Sequence, residues 1–240
     1  MSQSFSFFIL VNINKPEKGK FYILNSIPDN FICIFKLNKT ENFNEIFKDD
    51  SIITRSLLKE FNLLKYFEVL EKINNDNKIV NKNKILFLSF HPEGKNSISF
   101  IASFPINKNF TERRVLKIFE NFKISFNEYD GKKFYVLHDY HNDKILYLYQ
   151  HIDYLLITND RLLIEAIIRN RNIHEEKEIV KLFNYSKSKN TYATLIFNFE
   201  NFYFLSKRVI NKNYLNKILL SNKIGKYGIM DLNKNNNSLI

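Results

Sequence analysis

The chain has 240 residues, with 36 Lys+Arg against 25 Asp+Glu and a formal charge of +11. It is 45% hydrophobic and 15% aromatic, with five Gly, four Pro, one Cys and no Trp. These figures exclude a disordered chain, a collagen-like or Gly/Pro-rich one, and a disulfide-stapled domain, leaving one large globular domain or two small ones.

Ser4 to Ile13 is a short apolar run, about half the roughly 20 residues that a membrane-spanning helix needs. No basic stretch precedes it and no small-residue cleavage site follows it. Residues 1–20 are therefore expected to be a short apolar start and polar linker, either a degenerate anchor or a flexible stretch. The domain proper is expected over 21–240, with two sub-units meeting near 106–125 as a candidate division.

Phe31 to Leu37 is apolar, β-branched and aromatic, and reads as a buried strand. Thr40 opens a short helix to about Lys48, and Ser51 opens a stronger one to Ile73. Asn74 to Asn83 is a polar loop. Strands follow at Lys84–Phe90 and Ser97–Phe104, with His91 to Asn96 as the turn and Gly94 supplying a positive φ. A helix is expected over Thr111–Phe119. Four strands come next, at Lys123–Tyr129, Lys133–Asp139, Lys144–Tyr149 and Tyr154–Thr158. Asp130-Gly131 is the strongest hairpin signal, and His138 to Asp143 is the next polar turn.

Asn159 or Asp160 caps a helix ending near Arg171, and a second helix covers Glu175–Tyr185. Thr191–Phe199 and Lys226–Asn233 read as strands, with weak helical patterns at 202–205 and 213–220. A polar turn at 235–237 and the stop at Ile240, where a partner strand would begin, predict an incomplete C-terminal end. The fold class is α+β: antiparallel sheets with helices packed on them, in the approximate order β-α-α-β-β-α-β-β-β-β-α-α-β.

The positive charge is mostly Lys, with only seven Arg. The excess of Lys, Asn, Ile and Phe follows A- and T-rich codons, so a low G+C composition accounts for it before a nucleic-acid partner does. Readers of nucleic acid lean on the planar Arg fork. The basic clusters Lys82-Lys84, Arg113-Arg114-Lys117, Arg161-Arg169-Arg171 and Lys207-Arg208-Lys212 read as a solvated face over a Phe-rich core. No recognised RNA- or DNA-binding signature accompanies them.

Catalytic patterns are equally thin. His138 and His141, with Asp139, Asp143 and His151, form a possible metal-ligand group, but without Cys they read as exposed turn histidines. His91 and His174 have no recognisable partner. Cys33 lies within an apolar strand and reads as a core thiol. Five glycines leave no phosphate cradle, and neither G-x-S-x-G nor H-E-x-x-H occurs. Glu128/Asp130 and Asp139/Asp143 are visible carboxylate pairs, but both flank turns. No catalytic, metal or cofactor residue is assigned, and no cofactor is expected.

Several segments, in order, resemble a family of bacterial envelope proteins of unknown function. They are Asn25-Ser26-Ile27-Pro28-Asp29-Asn30 before a strand and the helix Leu57 to Leu70. The strand-turn-strand from Leu86 to Ile101 and Asp130-Gly131 follow. Next come Tyr154 to Asn159 with Leu163, Glu165, Ala166 and Ile167, and then Tyr227, Asp231 and Leu232. The resemblance spans roughly Phe21 to Ile240 and rests on turns and packing positions. It implies an extracytoplasmic, membrane-tethered, non-enzymatic domain with an envelope protein as partner. Longer members continue into β-rich sequence, so the chain resembles a shortened member.

The expectation is a non-catalytic, envelope-associated binding or scaffold domain. The alternatives are a cytoplasmic nucleic-acid-binding protein using its Lys-rich surface, and a hydrolase with dispersed carboxylates.

Overall fold

The computed structural model describes residues 23–24, 27–40, 43, 63–95, 97–141, 143–169, 177–185, 191–201 and 225–233. Nine antiparallel strands form one sheet, numbered in chain order: β1 (Cys33–Leu37), β2 (Leu86–Glu93), β3 (Ser97–Pro105), β4 (Lys123–Tyr129), β5 (Lys132–Asp139), β6 (Lys144–His151), β7 (Tyr154–Thr158), β8 (Thr191–Asn198) and β9 (Tyr227–Asn233). Among the described residues the helices include α1 (Leu64–Asn75), α2 (Glu112–Ile118), α3 (Arg161–Ile168) and α4 (Lys177–Tyr185). The spatial order is β4-β5-β6-β7-β3-β2-β1-β8-β9. The chain is thus α+β, and mostly sheet.

The start over 1–20, the bodies of the helices expected at 40–48 and 51–62, and those at 202–205 and 213–220 lie outside the described residues. So does the tail after Asn233. Of the helix expected over Ser51–Ile73, the described part is helical over Leu64–Asn75, running two residues past the expected end. The strands on either side of 106–125 belong to the same sheet, because β3 pairs with β7 from Ile101↔Thr158 to Pro105↔Tyr154.

The sheet is covered on both faces, which explains why its central strands are apolar runs rather than alternating ones. Successive residues of β2 serve opposite faces: Leu86, Leu88 and Phe90 join one core, and Phe87 joins the other. The first core takes Phe67, Leu70 and Ile73 of α1 and Val115 of α2. The second takes Leu163, Ile164 and Ile167 of α3 with Ile179 and Phe183 of α4. α1 has no side-chain N-cap bond, so its burial against the sheet, rather than its N-terminal end, holds it.

α3 starts as the sequence predicts. The Asp160 carboxylate accepts from the Leu162 amide at 2.8 Å, the N-cap bond. Its neighbour Asn159 is engaged elsewhere, accepting from the Phe100 amide of β3 at 3.0 Å. At the other end of the helical pair, the buried Lys36 ammonium of β1 donates to the Phe183 carbonyl at 3.4 Å. That carbonyl lies in the last turn of α4, where a cation is electrostatically favoured.

Two expected boundaries are corrected. β2 runs on through His91, Pro92 and Glu93, so the connection is shorter than expected and lies between Glu93 and Ser97. Proline is tolerated there for a geometrical reason. The Phe90 carbonyl accepts from Ile32, which precedes β1, so residue 90 faces that side, and Pro92 faces the same way. β1 pairing has stopped by then, at Cys33↔Phe90, so the missing N–H leaves no ladder bond unmade. His138 is likewise not in a turn: it sits in β5, opposite Lys123 and Ile145.

The Asp130-Gly131 hairpin forms as read, with φ of 48° and 68° at its two central residues. The β6–β7 turn is less comfortable. Ile152 has φ of 51° and is 66% exposed, so a β-branched residue holds a left-handed conformation with little burial in return. Ile152→Asn is expected to raise stability by about 1 kcal/mol, because Asn tolerates this region. A urea melt checks it; a loss of stability would mean that the Ile152 side chain makes contacts worth more than the strain.

Candidate functional site

The most enzyme-like geometry is buried. His91 of β2 is fully enclosed, with its Nε2 2.9 Å from the Ser89 hydroxyl and its Nδ1 3.2 Å from Asn30 Oδ1. Asn30 Oδ1 only accepts, so Nδ1 carries the proton and Ser89 donates to Nε2. Hydroxyl, imidazole and amide are connected as in a Ser–His–Asn catalytic triad. The surroundings deny that chemistry. Ser89 is 0% exposed in the middle of a central strand, so no substrate carbonyl reaches its oxygen. Burial pushes the His91 pKa down to about 3, which makes it a weak base. The chain of bonds therefore works as a strut, anchoring the segment before β1 to β2. Sequence reasoning missed it and left His91 in a turn without a partner. The i, i+2 spacing of Ser89 and His91 on one strand face was the available signal.

The other candidate residues are scattered. Cys33 is buried, and desolvation pushes its thiol pKa far up, which suits a core residue. The His138 ring lies against that of Tyr140, tilted at 44° with centroids 3.8 Å apart, while the His141 amide donates to Asp139 at 3.0 Å. Among the described residues no group of three or more His, Cys, Asp or Glu could hold a metal ion. Glu128 lies opposite Lys133 in the β4–β5 ladder, and Asp130 is the turn residue. Asp139 is buried, whereas Asp143 is exposed in the next turn with φ of 48°. His174 lies outside the described residues.

Several residues of the basic clusters have partners within the chain. Arg114 bonds Asp76 at 3.0 Å, and Arg161 and Arg169 both reach Glu165, at 2.8 and 3.5 Å. Lys84 lies 3.7 Å from Asp153. Lys82 donates to the Asn74 carbonyl. Arg171 and the cluster at 207–212 lie outside the described residues. Among the described residues no helix is long and apolar enough to cross a membrane.

One exposed feature is built from several elements. β4 ends the sheet, and among the described residues no strand pairs with its outer side. Phe126, at its centre, is 67% exposed. Its ring is 5.1 Å from that of Tyr135 on β5. The Tyr135 hydroxyl in turn donates to Glu112 of α2 at 2.6 Å. That bond, aided by burial, pushes the Tyr135 pKa up to about 12. The helix thereby fixes the ring on which Phe126 rests.

The backbone of β4 follows from the hairpin. The turn is closed by Tyr129↔Lys132, so the Tyr129 carbonyl faces β5. Bonding alternates along a strand, so Lys123, Ser125 and Asn127 also face β5. Ile124, Phe126 and Glu128 therefore turn their N–H and C=O groups outward. The strand has no proline, glycine or register shift to guard this edge. β9, at the other end, carries Gly228 and adjoins an irregularity near Thr191/Ala193.

No protein-family model, no curated protein and no solved structure matches the chain. The site is thus argued from its own geometry. A small cavity of about 20 Å³ lies beneath it, between Val115 and Leu116 of α2 and Tyr135 and Leu148 of the sheet. It has room for about one water, not a substrate.

Proposed function

We propose that the chain is a non-catalytic binding or scaffold domain of the cell envelope, and that it works through the open edge of β4. The observation that carries the reading is the strand itself: outward-facing amide and carbonyl groups beside a ring that is 67% exposed. An edge of this kind gains a strand by main-chain bonding, and side-chain pockets add selectivity. An envelope setting is supported by the resemblance of the ordered segments from Phe21 onward. Arg114, Arg161, Arg169 and Lys84 each reach a carboxylate of this chain, Arg161 and Arg169 sharing Glu165, which leaves fewer of the described Arg forks open to phosphate and supports a protein partner over nucleic acid.

The test is fractionation of source cells, with a high-salt wash and protease accessibility, for the natural chain and for Phe126→Pro. The Phe126 N–H faces outward, so proline there leaves the β4–β5 ladder intact. The natural chain is expected to stay with the washed envelope, and the variant to be released at least tenfold more. A soluble natural chain overturns the envelope reading, and equal retention of the two overturns the role of the edge.

A further inference from the structure

We infer that the strand added to β4 is β4 of a second copy of this chain, paired antiparallel about a two-fold axis at Phe126. This rests on the reading of β4 as the contact edge. A two-fold axis perpendicular to the sheet keeps side chains on their own face, so each residue must meet one of the same parity. The register centred on Phe126 sets Phe126 against Phe126, and Ile124 against Glu128. These are the residues whose N–H and C=O groups face outward, so every outward group between 124 and 128 finds a partner in both copies. A register shifted by one pair leaves some of them unbonded.

The side chains agree with this register. On one face, the two Phe126 rings meet between the two Tyr135 rings, extending a pair already 5.1 Å apart. On the other face, Ser125 meets Asn127, and Lys123 meets Tyr129. No like charges oppose each other. The only charges on β4 are Lys123 and Glu128, so the strip is neutral in a chain of net charge +11. It is the kind of surface along which two such cations approach with least repulsion. Glu128 is also held opposite Lys133 of its own sheet.

The experiment is sedimentation equilibrium of the full chain, with site-directed cross-linking. The natural chain is expected at twice its 28.8 kDa. Its association should tighten between about 50 and 500 mM salt, as repulsion between the two cationic bodies is screened. Phe126→Pro is expected to be a folded monomer. Phe126→Cys is expected to form a cross-chain disulfide, because residues in a hydrogen-bonded pair lie about 5.5 Å apart at Cα, within disulfide range. Ile124→Cys should not, since its own copies would stand roughly 14 Å apart in this register. The native Cys33 is buried and does not compete.

A natural chain that is monomeric at about 100 μM, far above the micromolar range of ordinary weak association, overturns the inference. So does a dimer that survives Phe126→Pro, or equal cross-linking through Cys at 124 and at 126. A monomer whose Phe126→Pro form still loses the envelope fraction overturns the second copy but leaves edge binding standing. A monomer with unchanged retention removes both.

Discussion

Truncation of Phe100 to alanine is expected to lower stability by about 3–5 kcal/mol. Phe100 is 0% exposed at the centre of β3. Its ring lies 5.6 Å from that of Tyr66 and 6.1 Å from that of Phe67. Both partners belong to α1, whose hold on the sheet comes from such contacts. The loss has two sources. Buried aromatic area returns to water, and the close-packed surroundings leave a cavity that they only partly fill. Phe126→Ala is the control, since its side chain is mostly in solvent; less than about 1 kcal/mol is expected. Urea denaturation at constant slope measures both. A Phe100→Ala cost no greater than that of Phe126→Ala would contradict the seating of α1 on β3.

Local features of this fold were legible because their causes are local. β4 and β7 begin and end where apolar alternation and turn residues place them. The Asp130-Gly131 turn follows from two residues that accept positive φ. Asp160 caps α3 because a short carboxylate before an apolar run meets the second amide of the helix. Boundaries were lost where a distant strand decided them. Pro92 looks like a breaker in sequence, yet it is harmless because β1 has already ended. His138 looks like a turn residue, yet β4 and β6 hold it in the ladder. Nor does the sequence announce that β3 and β7 are neighbours. Their pairing, like that of β1 with β8, spans long stretches of chain, and strand order is written in no single segment.

The candidate sites divide in the same way. Cys33 reads as a core thiol because the strand around it is apolar, and it is buried. The His91 network was hidden because Asn30 lies 61 positions from it. Phe126 was visible only as one member of an alternating strand. Its importance arises from the sheet order, which puts β4 at the end and leaves every second backbone unit facing outward.

Stability is expected to fall as pH drops from 6.5 toward 3, by up to roughly 1.4 kcal/mol per pH unit, because of His91. Above pH 6.5 the imidazole is neutral in both folded and unfolded chains, and its burial costs nothing electrostatically. Below 6.5 the unfolded chain takes up a proton. The folded chain does not, since burial holds the His91 pKa down to about 3. Ser89 and Asn30 bond the neutral ring, and the nearest strand partner, Ser99, is itself committed to Glu93 at 2.6 Å. Three other groups have to be separated from this effect. Burial and Lys132 also push the His151 pKa down, so it adds to the slope in the same window. Burial raises the Asp160 pKa, so the folded chain takes up that proton first as pH falls, and its contribution has the opposite sign. Burial alone would raise the Asp76 pKa, but the hydrogen bonds from Arg114, Lys78 and Ile79 and the Arg114 charge together lower it, so its contribution is lost as pH falls through the ordinary carboxylate value near 3.8 and below. Urea melts at about pH 7, 5.5 and 4.5 therefore stay above the range of Asp76, and comparison with His91→Gln removes the shares of His151 and Asp160. The variant should be less stable at pH 7, because Ser89 and Asn30 lose their shared partner. Its acid slope should nevertheless be shallower than that of the natural chain. Parallel slopes would mean that His91 takes a proton in the folded state, which requires an opening of the segment before β1 that the buried Ser89–His91–Asn30 chain forbids.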